Sequence, residues 1–174
     1  MVYCSLYSTF YWCKSGKKGA LYIVSIYRLL LRSLPFTYML LIWLQSSYFN
    51  PEELASISSQ INVPFILIIG ILLELLHFIQ FGILYALFII FFLTFQELKP
   101  KHELVAAVLA ILYSVIDEIH QFYIPYRSMS GIDLLKNVVG VGLLWMIIHK
   151  SYFKRSRSKI GHFLKNITIV LKSS

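Results

Sequence analysis

Charged residues are scarce in this sequence, and cysteines are scarcer still. Asp, Glu, Lys and Arg make up 14% of the 174 residues, whereas an ordinary soluble domain has about a quarter. Apolar residues make up 58% and the mean hydropathy is +0.71. This balance excludes an ordinary soluble domain and predicts an integral membrane protein. The two cysteines, Cys4 and Cys13, fit no metal or redox motif, and we predict no cofactor.

Acidic residues are also few, with 8 Asp and Glu against 16 Lys and Arg. Five basic residues precede the first long apolar run, and seven follow the last one. Because positive residues beside membrane spans concentrate on the cytoplasmic side, we predict that both termini are cytoplasmic. The basic tail also has many apolar residues, which favours membrane lipid as a partner and no nucleic acid. The flanking basic residues are Lys14, Lys17, Lys18, Arg28, Arg32, Lys150, Lys154, Arg155, Arg157, Lys159, Lys165 and Lys172.

Long apolar runs define the predicted fold. A helix needs about 20 mostly apolar residues to cross a hydrocarbon core of about 30 Å, and segments 33–49, 75–95, 104–123 and 130–148 come close. Residues 63–73 are too few to cross alone, so we predict that they form a separate interfacial helix. Counting them as a further span would place the basic tail outside the cytoplasm. The predicted fold is therefore an all-α membrane bundle of four transmembrane helices, N-in and C-in.

The same pattern predicts three parts of the chain. Residues 1–32 form a basic and aromatic extension, 33–148 the four-helix transmembrane domain, and 149–174 a basic cytoplasmic tail. His102 and His149 fall near the inner ends of spans, and we predict that both are solvated or interfacial.

Polar residues gather at the other, extracytoplasmic end of the predicted bundle. The apolar residues 104–116 rise only about 20 Å as a helix, about 10 Å less than the core thickness. Asp117 and Glu118, which follow them, would therefore lie within the outer leaflet. Ionisable groups at such a depth are costly and face the bundle interior, where they meet partners. The predicted ligand-binding cluster consists of His77, Asp117, Glu118, His120, Gln121, Arg127, Asp133 and Asn137.

Two local interactions follow from helical spacing. His120 and Gln121 come three and four residues after Asp117, which places all three on neighbouring positions of one helix face. Ser130 and Asp133 have the spacing of a capping box, which predicts the start of the last span.

Three interpretations of the cluster remain open at the level of sequence. In a structural clamp, Arg127 forks onto Glu118 or Asp133. In a receptor for a polar head group, Arg127 holds a phosphate or carboxylate. In a membrane hydrolase or transferase, the cluster holds a metal or supplies acid and base, with Asp117, Glu118 and His120 as the catalytic candidates. Because no motif with metal-ligand spacing is present, we predict no metal site.

The polar residues also carry a resemblance to a known family. The main series reads Asp117-Glu118-x-His120-Gln121, then Arg127, Asp133, Asn137, Gly140 and Gly142. Two further blocks accompany it, HFIQFGILY at residues 77–85 and WLQSS at 43–47. Over residues 36–148 the sequence resembles the VanZ-like family, although position 74 is Glu, where the family often has a basic residue.

The resemblance implies a small multi-pass protein of the bacterial cytoplasmic membrane, from a family named after a member associated with teicoplanin resistance. We therefore expect a role in glycopeptide susceptibility, through binding of an envelope precursor or a polar lipid head group at the extracytoplasmic face. A membrane hydrolase or transferase acting on a lipid-linked substrate and a structural membrane scaffold are the alternatives.

Overall fold

Every regular element that the structure describes is helical. The computed structural model describes residues 4–48, 63–125, 127, 129–154 and 158–172. The all-α prediction is therefore confirmed over these ranges. The elements are α1 (Cys4–Tyr48), α2 (Val63–Leu93), α3 (Pro100–Phe122), α4 (Gly131–His149), a π-helical turn (Lys150–Lys154) and α5 (Lys159–Lys172).

Helix α1 is one continuous helix of 45 residues that joins the predicted extension to the first predicted span. It passes through Pro35, which is buried and has no N–H with which to continue the hydrogen-bond ladder. Nearby hydroxyls bond to carbonyls in the same helix: Ser33 Oγ donates to Leu30 at 2.9 Å, and Thr37 Oγ1 donates to Ser33 at 3.1 Å. A transmembrane helix tolerates proline where such groups help to satisfy the backbone.

Helix α2 is also continuous, so the prediction of a separate helix at residues 63–73 is wrong. Glu74 interrupts the apolar composition but does not end the helix, because glutamate is a good helix former and no proline or capping motif follows it. The helix ends at Leu93, and the Gln96 N–H then closes a turn onto the Phe92 carbonyl at 3.2 Å.

The core of the bundle lies around α2. Phe81, Leu84, Tyr85 and Ile89 are fully buried on it. They form one cluster with side chains from each of the other α-helices named above. The core therefore holds together the five α-helices of the described ranges rather than one pair.

Helices α2 and α4 touch at backbone level. A Cβ added at Gly140 would lie 2.0 Å from the Phe78 carbonyl oxygen, and one added at Gly82 would lie 3.0 Å from the Gly140 carbonyl oxygen. Such an approach needs small residues at the crossing. Gly82 and Gly140 thus allow the two helices to pack closely, whereas a Cβ at Gly142 would meet nothing within 4 Å.

Two helical stretches among the described residues are long and apolar enough to cross a membrane. They are Tyr22–Tyr48 and Gly131–Lys154, and a shorter apolar stretch covers Phe78–Leu93. Helix α3 has 23 residues and carries four charged side chains, which lowers its hydropathy. Four spans with both termini inside remain a prediction.

The bundle has two chemically different ends. We call the end with Ser46, Asp117, Gln121 and Ser130 the polar end, because side-chain hydrogen bonds join these residues or their neighbours there. We call the opposite end, where Arg28 bonds to α5, the basic end.

Helix α5 packs back onto the basic end. A Cβ at Gly161 would lie 2.1 Å from the Ser151 carbonyl oxygen, so α5 sits directly against the π-helical turn. Its buried face includes Leu164, Thr168 and Leu171, while Phe163 and Ile169 are exposed. The basic tail therefore contains a helix with one side docked on the bundle.

Candidate functional site at the polar end

Helix α3 carries the main polar residues of the site on its buried face. Buried residues recur every three or four positions along it, as expected for one face of an α-helix. At the polar end this face presents Asp117, Glu118 and Gln121, and Asp117 and Glu118 have 0% exposure. At the basic end the same face presents Glu103. The apolar residues of α3 thus separate two buried polar groups.

Asp117 links α3 to α1. Its Oδ1 accepts from the Ser46 hydroxyl at 2.6 Å, and its Oδ2 accepts from Gln121 Nε2 at 2.7 Å. Both distances are at the short end of the range for hydrogen bonds. The predicted pairing of Asp117 with Gln121 is confirmed, while Ser46 lies 71 positions away and could be found only in the folded structure.

Glu118 links α3 to α4. Its Oε2 accepts from the backbone N–H of Ser130 at 3.1 Å, just before α4 begins. The Ser130 hydroxyl in turn accepts from the Asp133 N–H at 3.3 Å, which confirms the predicted cap. The Asp133 carboxylate pairs with Lys136 at 2.9 Å in a partly exposed position. The backbone N–H of Asp133 therefore takes part in the cap of α4, and its carboxylate pairs with Lys136 on the surface of the same helix.

Arg127 lies on the connection between α3 and α4 and is half-buried. Its Nη1 donates to the Ser46 carbonyl at 3.4 Å. Ser46 thus takes part in two contacts, through its hydroxyl with Asp117 and through its carbonyl with Arg127. The fork of Arg127 onto Glu118 or Asp133 stays a prediction.

His120 faces α1. Its ring stacks on Trp43 with 3.6 Å between centroids and 19° between planes. Its Nε2 lies 3.5 Å from the Ser47 hydroxyl, and its Nδ1 is buried with no hydrogen-bond partner among the described residues. Sequence spacing placed His120 next to Asp117 but did not show that its ring packs against Trp43.

Asn137 has the largest unused hydrogen-bonding capacity at this end. It has 0% exposure, and in the described part of the chain neither Nδ2 nor Oδ1 has a hydrogen-bond partner. Leaving a buried polar group unpaired costs about 1–3 kcal/mol. Asn137 is one turn from Gly140, where α4 meets α2. The predicted site residue His77 is on α2, but its side chain lies outside the described residues.

His149, at the basic end, pairs with a buried carboxylate. Its Nδ1 lies 2.8 Å from Oε2 of Glu103, which is only 1% exposed, while the His149 side chain is 30% exposed. Oε1 of Glu103 and the Tyr85 hydroxyl are buried and have no hydrogen-bond partner among the described residues. The solvated or interfacial position of His149 stays a prediction, and spacing along the chain did not reveal this partner 46 positions away.

His102, also at the basic end, is buried, so it is not solvated as one half of the prediction had it; its interfacial position stays a prediction. Its Nδ1 accepts from the Lys99 backbone N–H at 3.1 Å, and the Gln96 amide lies 3.0 Å from its Nε2. Its ring stacks on Phe92. Burial, followed by the charges of Lys101 and Lys99, lowers the pKa of His102 below its usual range. His102 therefore closes the first turn of α3.

The polar end does not assemble a metal site from the residues described. Among them, no three His, Cys, Asp or Glu side chains are grouped closely enough to hold an ion. The carboxylates of Asp117 and Glu118 instead accept hydrogen bonds from Ser46, Gln121 and the N–H of Ser130. Their described contacts connect α3 to α1 and α4.

Comparison with known proteins identifies one family. The family model described as VanZ/LLP1 matches residues 3–154, which confirms the resemblance drawn from the polar residues. The matched range includes most of the predicted extension at 1–32. No curated protein and no solved structure gives a significant match.

Proposed function

Since the chain belongs to the VanZ/LLP1 family, we propose that it is a multi-pass protein of the bacterial cytoplasmic membrane that changes susceptibility to glycopeptides such as teicoplanin. In this proposal it binds a polar head group of an envelope precursor or lipid at the polar end. The family and the two apolar helices indicate a membrane protein. The activity and the binding are our inference.

The proposed topology has four spans, with the polar end outside and the basic end inside. The charge distribution supports it, because basic residues flank the apolar region on both sides. Antiparallel α2, α3 and α4 then place Asp117 and Glu118 at the outer end of α3, together with the start of α4. The same arrangement places Arg28 and α5 at the cytoplasmic face.

The observation that carries the binding proposal is that the buried amide of Asn137 has no hydrogen-bond partner among the described residues. A fully buried asparagine offers two N–H donors and a carbonyl acceptor, and proteins rarely leave such groups unsatisfied without a reason. A sugar hydroxyl or an amide of an envelope precursor can both donate and accept, so it matches this side chain. His120 Nδ1 is a second buried group with no described partner.

The carboxylates have a different role in this proposal. Asp117 and Glu118 hold α1, α3 and α4 together through Ser46 and Ser130. They position Asn137 and His120 rather than act on a ligand. A rigid supporting shell of this kind is what a binding site needs.

A structural scaffold is the second candidate function. It is favoured by the hydrogen bonds that Asp117 and Glu118 accept from Ser46, Gln121 and the Ser130 N–H, because these bonds lie within the bundle. In a scaffold the Asn137 amide binds no ligand, and the lack of a hydrogen-bond partner among the described residues only lowers the stability of the protein.

The Asn137→Leu variant separates the two functions. Replacing an unpaired buried amide with an apolar group of similar size keeps or raises stability, because no desolvated polar group remains. If Asn137 contacts a head group, cells with this variant lose the change in teicoplanin susceptibility at normal protein abundance. Lys136→Gln, on the partly exposed side of the same helix turn, is the matched control and keeps it.

If cells with the Asn137→Leu variant keep the change in teicoplanin susceptibility, the scaffold function is favoured. No difference in susceptibility between cells with and without the wild-type protein overturns the glycopeptide role itself. A comparison of cell-wall and lipid composition in the same strains detects any chemical conversion, which would favour the hydrolase or transferase.

A further inference from the structure

The basic end contains a cavity of about 570 Å³ that the function proposed above does not use. It lies where α1, the end of α2, the connection to α3, and α5 meet, and its lining includes Arg28, Arg32, Thr94, Gln96, Lys99 and Thr168. Its volume is within the usual range for small-ligand sites, about 300–1,000 Å³.

Positive charge dominates the lining. Arg28, Arg32 and Lys99 face one acid, Glu97, which is exposed. Arginine side chains suit phosphate because their planar N–H groups match its oxygens. The cavity therefore favours an anion.

Arg32 is held in a fixed position. Its Nε donates to Thr94 Oγ1 at 2.9 Å, and its Nη2 donates to the Thr94 carbonyl at 3.4 Å. Its guanidinium lies 3.8 Å from the centre of the Phe95 ring. In the described part of the chain these hydrogen bonds use Nε and Nη2 only, which leaves Nη1 for a ligand.

Helix α5 forms the other wall. An Nη2 hydrogen of Arg28 is donated to the Leu171 carbonyl, so this arginine connects the cavity to the end of α5. Thr168, also on the wall, is only 7% exposed, and its hydroxyl has no hydrogen-bond partner among the described residues. A buried hydroxyl that lines a basic cavity without a partner is an independent sign that a polar group belongs there.

We propose that this cavity binds a phosphate group, with Arg28, Arg32 and the Thr168 hydroxyl as its contacts. The phosphate can come from a membrane lipid head group or from a soluble phosphate compound. The apolar side chains of Leu93, Phe95 and Leu171 at the same cavity can accommodate the carbon part of the ligand. A bound phosphate draws α1 and α5 together, since both helices contribute contacts.

The test uses the full-length protein in detergent and native mass spectrometry. Dioleoyl phosphatidic acid is the probe, and dioleoylglycerol, which lacks only the phosphate, is the matched lipid. We expect phosphatidic acid to bind at least about tenfold more tightly than dioleoylglycerol, because dioleoylglycerol cannot accept the hydrogen bonds that the charged phosphate accepts. Equal binding of the two lipids overturns the proposal.

Glycerol 3-phosphate distinguishes the two sources. If glycerol 3-phosphate and phosphatidic acid each bind when tested separately, the site recognises the phosphate group itself and is open to soluble compounds. Binding of phosphatidic acid alone supports a lipid site. Teicoplanin susceptibility does not enter this test, so its result is independent of the function proposed for the polar end.

Three variants locate the binding. Thr168→Val replaces the unpaired hydroxyl with a methyl group of similar size, so it keeps the fold and lowers phosphatidic acid affinity about tenfold. Arg32→Gln lowers affinity at least as much. Lys165→Gln removes one charge from the exposed face of α5, outside the cavity, and keeps wild-type affinity. Unchanged affinity in Thr168→Val, or an equal loss in Lys165→Gln, overturns the site.

Discussion

The Ser46 hydroxyl donates to the Asp117 carboxyl group at 2.6 Å and so connects the end of α1 to α3 at the polar end. The carboxyl group is fully buried, and its other oxygen accepts from Gln121. These bonds explain how an aspartate can lie inside an apolar bundle, since buried polar groups persist where hydrogen bonds satisfy them. It also makes Ser46 a structural part of the candidate site.

We predict that Ser46→Ala lowers the free energy of unfolding by about 1–3 kcal/mol, the usual cost of leaving a buried acceptor without its hydrogen bond. Unfolding of the purified protein in detergent measures this. Ser47→Ala is the matched control, because the Ser47 hydroxyl donates to the Trp43 carbonyl of the same helix and lies 3.5 Å from His120 Nε2, at the limit of a hydrogen bond. Equal stability of the two variants would mean that the Ser46 bond contributes nothing to the fold.

The crossing of α2 and α4 leads to a second prediction. Gly140→Ala places a Cβ 2.0 Å from the Phe78 carbonyl oxygen, so the helices must separate. Overpacking of this kind costs about 1–3 kcal/mol or more. Gly142→Ala meets open space and gains helix propensity, so we expect it to be neutral or up to about 1 kcal/mol more stable. Thermal unfolding of both variants tests this prediction. A Gly140→Ala variant as stable as the wild type would contradict the close crossing of α2 and α4.

The pair of the buried Glu103 and the partly exposed His149 gives a third prediction. His149→Leu removes a hydrogen-bond partner of the buried Glu103 carboxyl group, which costs about 1–3 kcal/mol. The double variant Glu103→Leu with His149→Leu removes both polar groups and should recover most of this loss. A double-mutant cycle by denaturant unfolding measures the coupling between them. Additive effects would show that the pair does not interact.

Acid should weaken the start of α3 through His102. Burial and the nearby Lys101 and Lys99 lower the pKa of His102 in the folded state, so protons bind more readily to the unfolded chain, where the pKa is about 6.5. The neutral His102 side chain therefore makes its full contribution to the free energy of unfolding above about pH 6.5, and this contribution is lost as pH falls below that value. Melting temperatures from pH 8 to pH 5 should fall less in His102→Gln than in the wild type. Identical pH profiles would remove His102 as the cause.

The topology can be tested by cysteine labelling after Cys4→Ser and Cys13→Ser. Met129 lies near the start of α4 and Lys159 at the start of α5, and both are exposed. With the polar end outside, an impermeant thiol reagent labels Met129→Cys in intact cells but labels Lys159→Cys only after permeabilisation. The reverse pattern would place the candidate site in the cytoplasm and end the envelope proposal.

The sequence by itself determined the class of the protein and its local connections. Apolar composition and runs of helix-forming residues predicted an all-helical membrane protein, and the ordered polar residues identified the family, which the match over residues 3–154 confirms. The Asp117 contact with Gln121 and the Ser130 cap were also foreseen, because both act within four residues along the chain.

Only the tertiary structure decided which distant groups meet. The contacts of Ser46 with Asp117, Trp43 with His120, and Glu103 with His149 span 71, 77 and 46 positions. Such pairs depend on how whole helices pack, and no short-range spacing encodes them. The continuity of α2 was likewise missed, because a single glutamate marks a change in polarity but does not break the backbone hydrogen bonds that carry a helix onward.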